Sequence, residues 1–342
     1  MQQVLVTGGT GFVASHCILQ LLQQGYQVKT TIRTPDKKNK VQDMLRTGGI
    51  TDFQHIQFIV ADLTSDSNWS LAVADCEYVL HVASPIFLRV PKDPDEMIRP
   101  AVDGTLRVLK AAREGGVKRV VMTSNFGAVG YSHKDTTTLI TEQDYTDPNE
   151  KGLSAYNKSK VMAEMAAWQF IRTQGNGLEF CTVNPMGIFG PSLGPDLSSG
   201  FELLRNIMNG EMKAIPNMVL GIVDVRDVAD LHIRAMTSAQ ANGERFLALA
   251  GGTMSLLQIA QFIKDKMPAV GVKISTKPLA DWKVKIAALL GNQKAKAVAP
   301  LLGINRNASN QKAKTVLGWA PRSNETAVLA AAESLIKYGA IQ

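Results

Sequence analysis

Three side chains of this sequence are of the types that move a proton to or from a carbonyl group. Tyr156 and Lys160 are four residues apart, and Ser124 follows an apolar run earlier in the chain. A spacing of four places a phenol and an ammonium group on one helix face. A phenol with a pKa of about 10 is a slow acid near neutral pH, and a nearby ammonium group lowers that pKa. The sequence therefore predicts that Tyr156 donates a proton, Lys160 lowers its pKa, and Ser124 holds the carbonyl oxygen.

A glycine-rich turn over residues 7–14 is a candidate phosphate site. It lies between an apolar run at residues 3–7 and an amphipathic stretch at residues 11–24. Gly8 and Gly11 permit a tight turn and a close approach of the backbone to a pyrophosphate. The helix that follows would offer free N–H groups and the positive end of its dipole. This arrangement predicts a dinucleotide cofactor.

The end of the second predicted strand indicates which dinucleotide binds. An NAD site usually has an acidic residue there for the ribose 2′-hydroxyl. This chain has Arg33 instead, with Lys37 close behind. A guanidinium group binds phosphate with two hydrogen bonds, so the pattern favours NADPH. In the alternative, Arg33 only covers the adenine and NADH also binds, as a weaker cofactor.

The elements that must position these residues alternate between strands and helices. Apolar strands separated by amphipathic helices predict a doubly wound α/β fold with a mostly parallel sheet. The strand candidates are residues 3–7, 26–33, 55–61, 78–82, 117–123, 178–183, 219–223 and 245–250. Prolines and glycines at residues 185–195 end the regular alternation. We predict a cofactor domain at residues 1–185 and a mainly substrate-binding part at residues 186–342, with residues 225–250 returning to the first sheet.

Composition restricts the class of protein. The 342 residues carry a net charge of +7, with 45% hydrophobic and 20% charged residues, as in a soluble globular protein. Three cysteines without a CxxC pair predict free thiols in a reducing compartment. The N-terminal run lacks a basic region, and no stretch reaches the roughly 18 apolar residues of a membrane span. The expected location is cytoplasmic, without membrane attachment.

The charge is concentrated in residues 261–318. This segment has eleven Lys and Arg against two Asp. Few aromatic residues accompany them, so we predict a solvated face that attracts anions rather than a nucleic-acid site. The five histidines show no metal-ligand spacing, and we predict no metal.

Taken together, the motifs resemble the extended short-chain dehydrogenase/reductase family over roughly residues 1–235. The resemblance rests on the turn at 7–14, Ser124, the Tyr156–Lys160 pair, and the segments 81–85, 184–185, 190–191 and 223–229. They are most similar to dihydroflavonol reductases, cinnamoyl-CoA reductases and microbial NADPH-dependent aldehyde and ketone reductases. Asn125 stands where many relatives have a second serine, and Ala14 replaces a glycine.

The resemblance implies a seven-stranded Rossmann sheet with a smaller α/β substrate domain. It also implies a set of cofactor contacts: Phe12 and Val13 at the pyrophosphate, Asp62 with Leu63 at the adenine, Val82, Ala83 and Ser84 near the ribose, Tyr156 and Lys160, and Pro185 beside the nicotinamide.

The substrate is expected to be a small carbonyl compound with a hydrophobic or aromatic body. Its pocket would draw on five residues and on the loop 187–200; the residues are Ser84, Pro85, Phe87, Phe126 and Met186. The chain would act as a monomer or homodimer.

The residues leave two alternatives to the reductase interpretation, an epimerase and a non-catalytic sensor. NAD-dependent nucleotide-sugar epimerases use the same scaffold, and Arg33 argues against this function. A dehydratase would need an acidic pair beside Ser124, where the chain has Asn125 and Phe126. A non-catalytic protein that senses dinucleotides is the third interpretation, and the intact Ser124, Tyr156 and Lys160 weigh against it.

Overall fold

The computed structural model describes residues 2–85, 93–133 and 135–341. Its strands are β1 (Gln3–Val6), β2 (Gln27–Ile32), β3 (Ile56–Val60), β4 (Tyr78–His81), β5 (Arg119–Thr123), β6 (Glu179–Pro185), β7 (Gly187–Phe189), β8 (Ile215–Pro216), β9 (Val219–Leu220), β10 (Ile222–Asp224), β11 (Arg245–Ala248), β12 (Met254–Ser255) and β13 (Pro278–Leu279). Its α-helices are α1 (Phe12–Gln23), α2 (Lys37–Thr47), α3 (Trp69–Val73), α4 (Asp95–Glu114), α5 (Ala155–Gln174), α6 (Ser199–Met208), α7 (Val225–Thr237), α8 (Leu256–Lys266), α9 (Pro268–Gly271), α10 (Asp281–Leu289), α11 (Gln293–Val298), α12 (Gln311–Leu317) and α13 (Asn324–Lys337).

Seven strands form one sheet in the order β11-β6-β5-β4-β1-β2-β3, and every neighbouring pair is parallel. Parallel strands need crossover connections, and the helices between them supply these connections. The prediction of a doubly wound, seven-stranded α/β fold is confirmed.

Helices cover both faces of this sheet. On β1, Val4 and Val6 face a cluster that contains α1, α2 and α7, while Leu5 faces α3, α4 and α5. Strands buried on both faces are continuously apolar, which explains the unbroken hydrophobic runs in the sequence.

Part of the chain after β6 packs around a third apolar cluster, formed mainly by α6, α8 and α13. Three two-stranded pairs, β7 with β10, β9 with β12 and β8 with β13, surround it. The chain then rejoins the main sheet through β11, which pairs with β6. The domain boundary near residue 185 stays a prediction.

One predicted strand is divided in the structure. Residues 219–223 form β9 and β10, separated at Gly221. The Met186 side chain lies so close to Gly221 that a side chain there would collide with it. The described helices include none long and apolar enough to span a membrane. Nor does the described part of the chain hold a group of three His, Cys, Asp or Glu side chains suited to a metal.

Candidate active site

The predicted Tyr–Lys pair lies on the first turns of α5. Ser154 caps this helix, and its hydroxyl accepts the Asn157 N–H at 3.2 Å. The Tyr156 side chain is 52% exposed, whereas Lys160, one turn deeper, is only 7% exposed. The helix therefore directs the Tyr156 phenol towards the crevice and the Lys160 amine into the protein interior.

Ser124 directly follows β5, at the carboxyl edge of the sheet. Its N–H donates to the Val183 carbonyl at 2.9 Å, which fixes the backbone at this point. The residue is 2% exposed, and its Oγ has no hydrogen-bond partner among the described residues. Buried hydroxyls are nearly always paired, so this unpaired group fits a ligand oxygen.

Burial shifts the pKa values of Tyr156 and Lys160 in the directions that favour their uncharged forms. Desolvation at its hydroxyl end raises the pKa of Tyr156, although the ring itself is half exposed, and the Asn125 side chain opposes this rise. Burial lowers the pKa of Lys160 to about 8, and the Glu164 carboxylate acts in the opposite direction. Desolvation has the largest effect on the pKa of Tyr156, and the lowering of that pKa by Lys160 stays a prediction.

A buried ion pair lies one turn below Lys160. Glu164 is 2% exposed, and its carboxylate accepts from Arg245 at 2.7 Å and from the Asn184 amide at 2.7 Å. Asn184 also donates to the Asn125 carbonyl at 3.2 Å. This network connects the backbone beside Ser124 to the helix that carries Tyr156 and Lys160.

The glycine turn forms a cradle between β1 and α1. Gly8 has φ +75°, and a Cβ at this residue would lie 3.0 Å from the Ala83 Cβ. The Thr7 hydroxyl accepts the N–H groups of Val82 and Ala83 at 3.0 and 2.9 Å. No side chain caps α1, so the N–H groups at Phe12 and Val13 lie at an open helix N-terminus. These features fit a pyrophosphate.

The adenine side of the crevice has a cation at the end of β2. Arg33 is exposed and forms no ion pair with any described residue, although its charge helps lower the pKa of Asp62 after the larger effect of the Thr64 hydrogen bonds. Lys37 pairs with Asp36 at 2.9 Å on the surface. Leu63 is buried against Gly104. Arg33 is thus the residue whose charge is free for a 2′-phosphate.

The predicted substrate residues have different environments. Phe126 and Met186 are 3% and 9% exposed and belong to one buried cluster, and Pro185 is buried at the end of β6. Ser84 and Pro85 are half-buried at the end of a described segment. Phe87 lies outside the described residues.

Sequence reasoning missed several residues around the reaction centre. Asn125 was noted only as a departure from relatives, yet its side chain faces the Tyr156 hydroxyl. Tyr131 and Arg306 were not identified, and they are in contact with each other near this centre. The long separations of these contacts along the chain left no local pattern to find.

Comparison with known proteins decides the family. Residues 4–248 match the NAD dependent epimerase/dehydratase family. The chain belongs to this family. A cinnamoyl-CoA reductase of Medicago truncatula is 38% identical over 250 residues, which cover 71% of this chain and 75% of that protein. An anthocyanidin reductase of Vitis vinifera is 33% identical over 304 residues, 84% of this chain and 87% of the relative.

Among solved structures, Gre2 from Candida albicans in complex with NADPH is similar, with a TM-score of 0.82, 27% identity and 99% coverage of both chains. The predicted resemblance to an extended short-chain dehydrogenase/reductase of the reductase subgroup is confirmed, as is the class of the enzyme, an oxidoreductase that acts on C=O or CH–OH.

Proposed function

We propose that this protein is an NADPH-dependent carbonyl reductase that converts an aldehyde or ketone to an alcohol. The observation that carries the proposal is that Tyr156, one helical turn before Lys160, interacts with the side chain of Asn125, which directly follows Ser124 and its unpaired hydroxyl. Ser124 lies at the sheet edge that also holds the glycine cradle. Open α/β sheets bind their ligands at this edge.

The residues of the chain perform the proton transfer. NADPH, when bound, supplies the hydride that the carbonyl carbon accepts. Ser124 donates a hydrogen bond to the carbonyl oxygen, and Tyr156 donates the proton that completes the alcohol. Lys160, whose pKa of about 8 leaves it mainly charged at neutral pH, would stabilise the phenolate that remains and would hold the ribose hydroxyls of the cofactor.

The shape and charge of the crevice support a set of cofactor contacts. The turn with Gly8, Gly11, Phe12 and Val13 would hold the pyrophosphate, and Arg33 would hold the 2′-phosphate. The cofactor of the similar Gre2 structure, NADPH, agrees with a free cation at this point. The remaining predicted contacts are Lys37, Asp62, Leu63, Val82, Ala83, Ser84 and Pro185.

Replacement of the phenol hydroxyl tests the function. We expect Tyr156→Phe to reduce kcat by about a hundredfold or more, because the proton donor is lost, with NADPH affinity retained. NADPH oxidation at 340 nm across a panel of aldehydes and ketones measures the rate, and fluorescence titration measures cofactor binding. Tyr26→Phe is the matched control. Tyr26 directly precedes β2, at the end of this strand that is away from Arg33. Near-normal turnover of Tyr156→Phe would remove Tyr156 from its role.

The family also contains epimerases, and the purified protein distinguishes them. An epimerase would retain NAD and interconvert nucleotide sugars without net oxidation of added cofactor. We expect no retained NAD and steady consumption of NADPH with carbonyl substrates. A protein that binds NADPH and reduces none of the panel would instead be a dinucleotide sensor.

The organisation of the protein completes the proposal. Residues 1–185 bind the cofactor and residues 186–342 mainly shape the substrate pocket. The enzyme works in the cytoplasm as a monomer or homodimer. Cell fractionation tests the location, and light scattering tests the oligomeric state.

A further inference from the structure

Arg306 is a half-buried cation enclosed by two aromatic rings. Its Nη2 donates to the Tyr131 hydroxyl at 3.0 Å. The guanidinium carbon lies 4.8 Å from the centre of the Tyr131 ring and 5.4 Å from that of Phe126. No described carboxylate forms an ion pair with it. A partly desolvated guanidinium that is held by ring faces and has no described carboxylate partner is well suited to bind an anion.

The rings that hold Arg306 extend to the reaction centre. Phe126 lies two residues after Ser124, in the 3₁₀ turn Phe126–Ala128. Tyr131 is close enough to Tyr156 to act on it electrostatically. Arg306 is therefore connected through these two rings to the residues next to Ser124 and Tyr156.

A cavity of about 340 Å³ opens beside Arg306. Arg306 is the one charged side chain among its described lining residues. The others that carry polar groups are two amides and two hydroxyls, from Asn217, Asn307, Thr136 and Thr253. One cation with neutral hydrogen-bonding groups matches a single negative charge, which favours a carboxylate over a doubly charged phosphate.

The segment that carries Arg306 is rich in positive charge. Residues 282–323 contain no Asp or Glu and eight Lys or Arg, of which Lys312 and Arg322 pair with Glu244 and Asp227 from other segments. Asp135, which precedes the lining residue Thr136, accepts hydrogen bonds from the backbone and hydroxyls of Thr137 and Thr138. It is engaged within its own turn rather than with the guanidinium.

A purely structural role for Arg306 is already filled by its neighbours. Asn305 donates to the Thr138 carbonyl at 2.8 Å, and Asn307 donates to the Thr137 carbonyl at 2.8 Å. Ala308 also forms a bridge with Ile140. These contacts fasten the segment on both sides of residue 306 without using its charge.

We propose that Arg306 binds a carboxylate on the substrate, so that the preferred substrate is a carbonyl compound with a carboxylate on the arm remote from the reacting C=O. This inference rests on the proposed reductase function and narrows its substrate class. Tyr131 and Phe126 position the guanidinium, and the cavity accommodates the charged end of the substrate.

Matched acids and esters test the proposal. The probes are 4-carboxybenzaldehyde and 4-formylcinnamic acid, which place the charge at two distances from the aldehyde, each beside its neutral methyl ester. We expect kcat/KM of the wild-type enzyme to be higher for at least one acid than for its ester. In Arg306→Met we expect kcat/KM for this acid to fall at least about tenfold, mainly through a higher KM. The kcat/KM for its ester should fall less than about threefold.

Two controls separate recognition from general effects. Arg306→Lys keeps a charge but not the planar fork, and we expect an intermediate loss with the acid. Lys283→Met removes an exposed cation from the same acid-free segment and should leave the ratio of acid to ester unchanged. Equal losses of acid and ester in Arg306→Met, or an unchanged preference, would overturn the proposal.

A binding measurement distinguishes failure of the proposed reductase function from failure of the proposed anion site. If the wild-type protein reduces no aldehyde, the reductase proposal fails, and calorimetric binding of 4-(hydroxymethyl)benzoate and its methyl ester replaces turnover. Tighter binding of the acid, lost in Arg306→Met, would still support the anion site. Equal affinities of the acid in both proteins would reject it.

Discussion

At the scale of single residues, the environment of Lys160 determines when the site can work. Burial favours its neutral form, and the Glu164 carboxylate partly restores the charged form. The charged form is the one that stabilises a phenolate. Because this form is present below the pKa of Lys160 and disappears above it, kcat/KM should fall as the pH rises through about 8.

Glu164 provides a direct test of this coupling. In Glu164→Gln the contribution that raises the pKa of Lys160 is lost, so the fall in kcat/KM should begin at a lower pH than in the wild-type enzyme. The pH profile of kcat/KM, measured at saturating NADPH, reports this change. Glu114→Gln, an exposed carboxylate on α4, serves as the control. An equal loss at every pH would indicate that Glu164 has only a structural role.

The catalytic residues could be predicted because their signals are local. Tyr156 and Lys160 are one helical turn apart, and Ser124 ends a strand whose apolar pattern is visible in the sequence. Arg306 had no such signal: its contact with Tyr131 joins residues 175 positions apart. The rise in the pKa of Tyr156 had no local signal either, because desolvation depends on packing that no local pattern contains.

At the scale of elements, the seven strands were predicted well because strands buried on both faces are continuously apolar. The short strands of the second part were predicted less well. Residues 219–223 appeared as one run, whereas in the structure β9 and β10 lie on either side of Gly221 and pair with different partners, β12 and β7. Two-residue strands carry too little periodicity to be recognised without their partners.

The end of β2 determines the choice of cofactor, and Arg33 makes this testable. We expect Arg33→Ala to raise the KM for NADPH by at least about tenfold, because a charge-assisted contact with the 2′-phosphate is lost. The KM for NADH should change by less than about threefold. Arg46→Ala, on α2 and paired with Asp43, is the matched control. Steady-state kinetics with both cofactors decides the matter, and an unchanged preference would exclude Arg33 from phosphate recognition.

At the scale of the whole molecule, the return of the chain to the main sheet is secured by a buried cation. Arg245 begins β11, after the chain has contributed α6 to the third apolar cluster. Its guanidinium donates to the Ala128, Glu142 and Asp144 carbonyls, in addition to Glu164. One side chain therefore holds the loop after Ser124, helix α5 and strand β11 in a fixed relation.

This arrangement predicts a large stability cost when Arg245 is removed. Arg245→Met should lower the free energy of unfolding by about 3–5 kcal/mol, because it leaves Glu164 as a buried, unpaired charge. The double variant Glu164→Gln with Arg245→Met should lose less than the sum of the single variants, since no charge is then left unpaired. Urea unfolding followed by circular dichroism measures these differences.

Arg99→Met, from an exposed pair with Asp95 at 3.9 Å, should change stability by less than about 1 kcal/mol. Additive losses in the double variant would show that the two charges are not energetically coupled, and that the carbonyl contacts alone fasten β11 to the site.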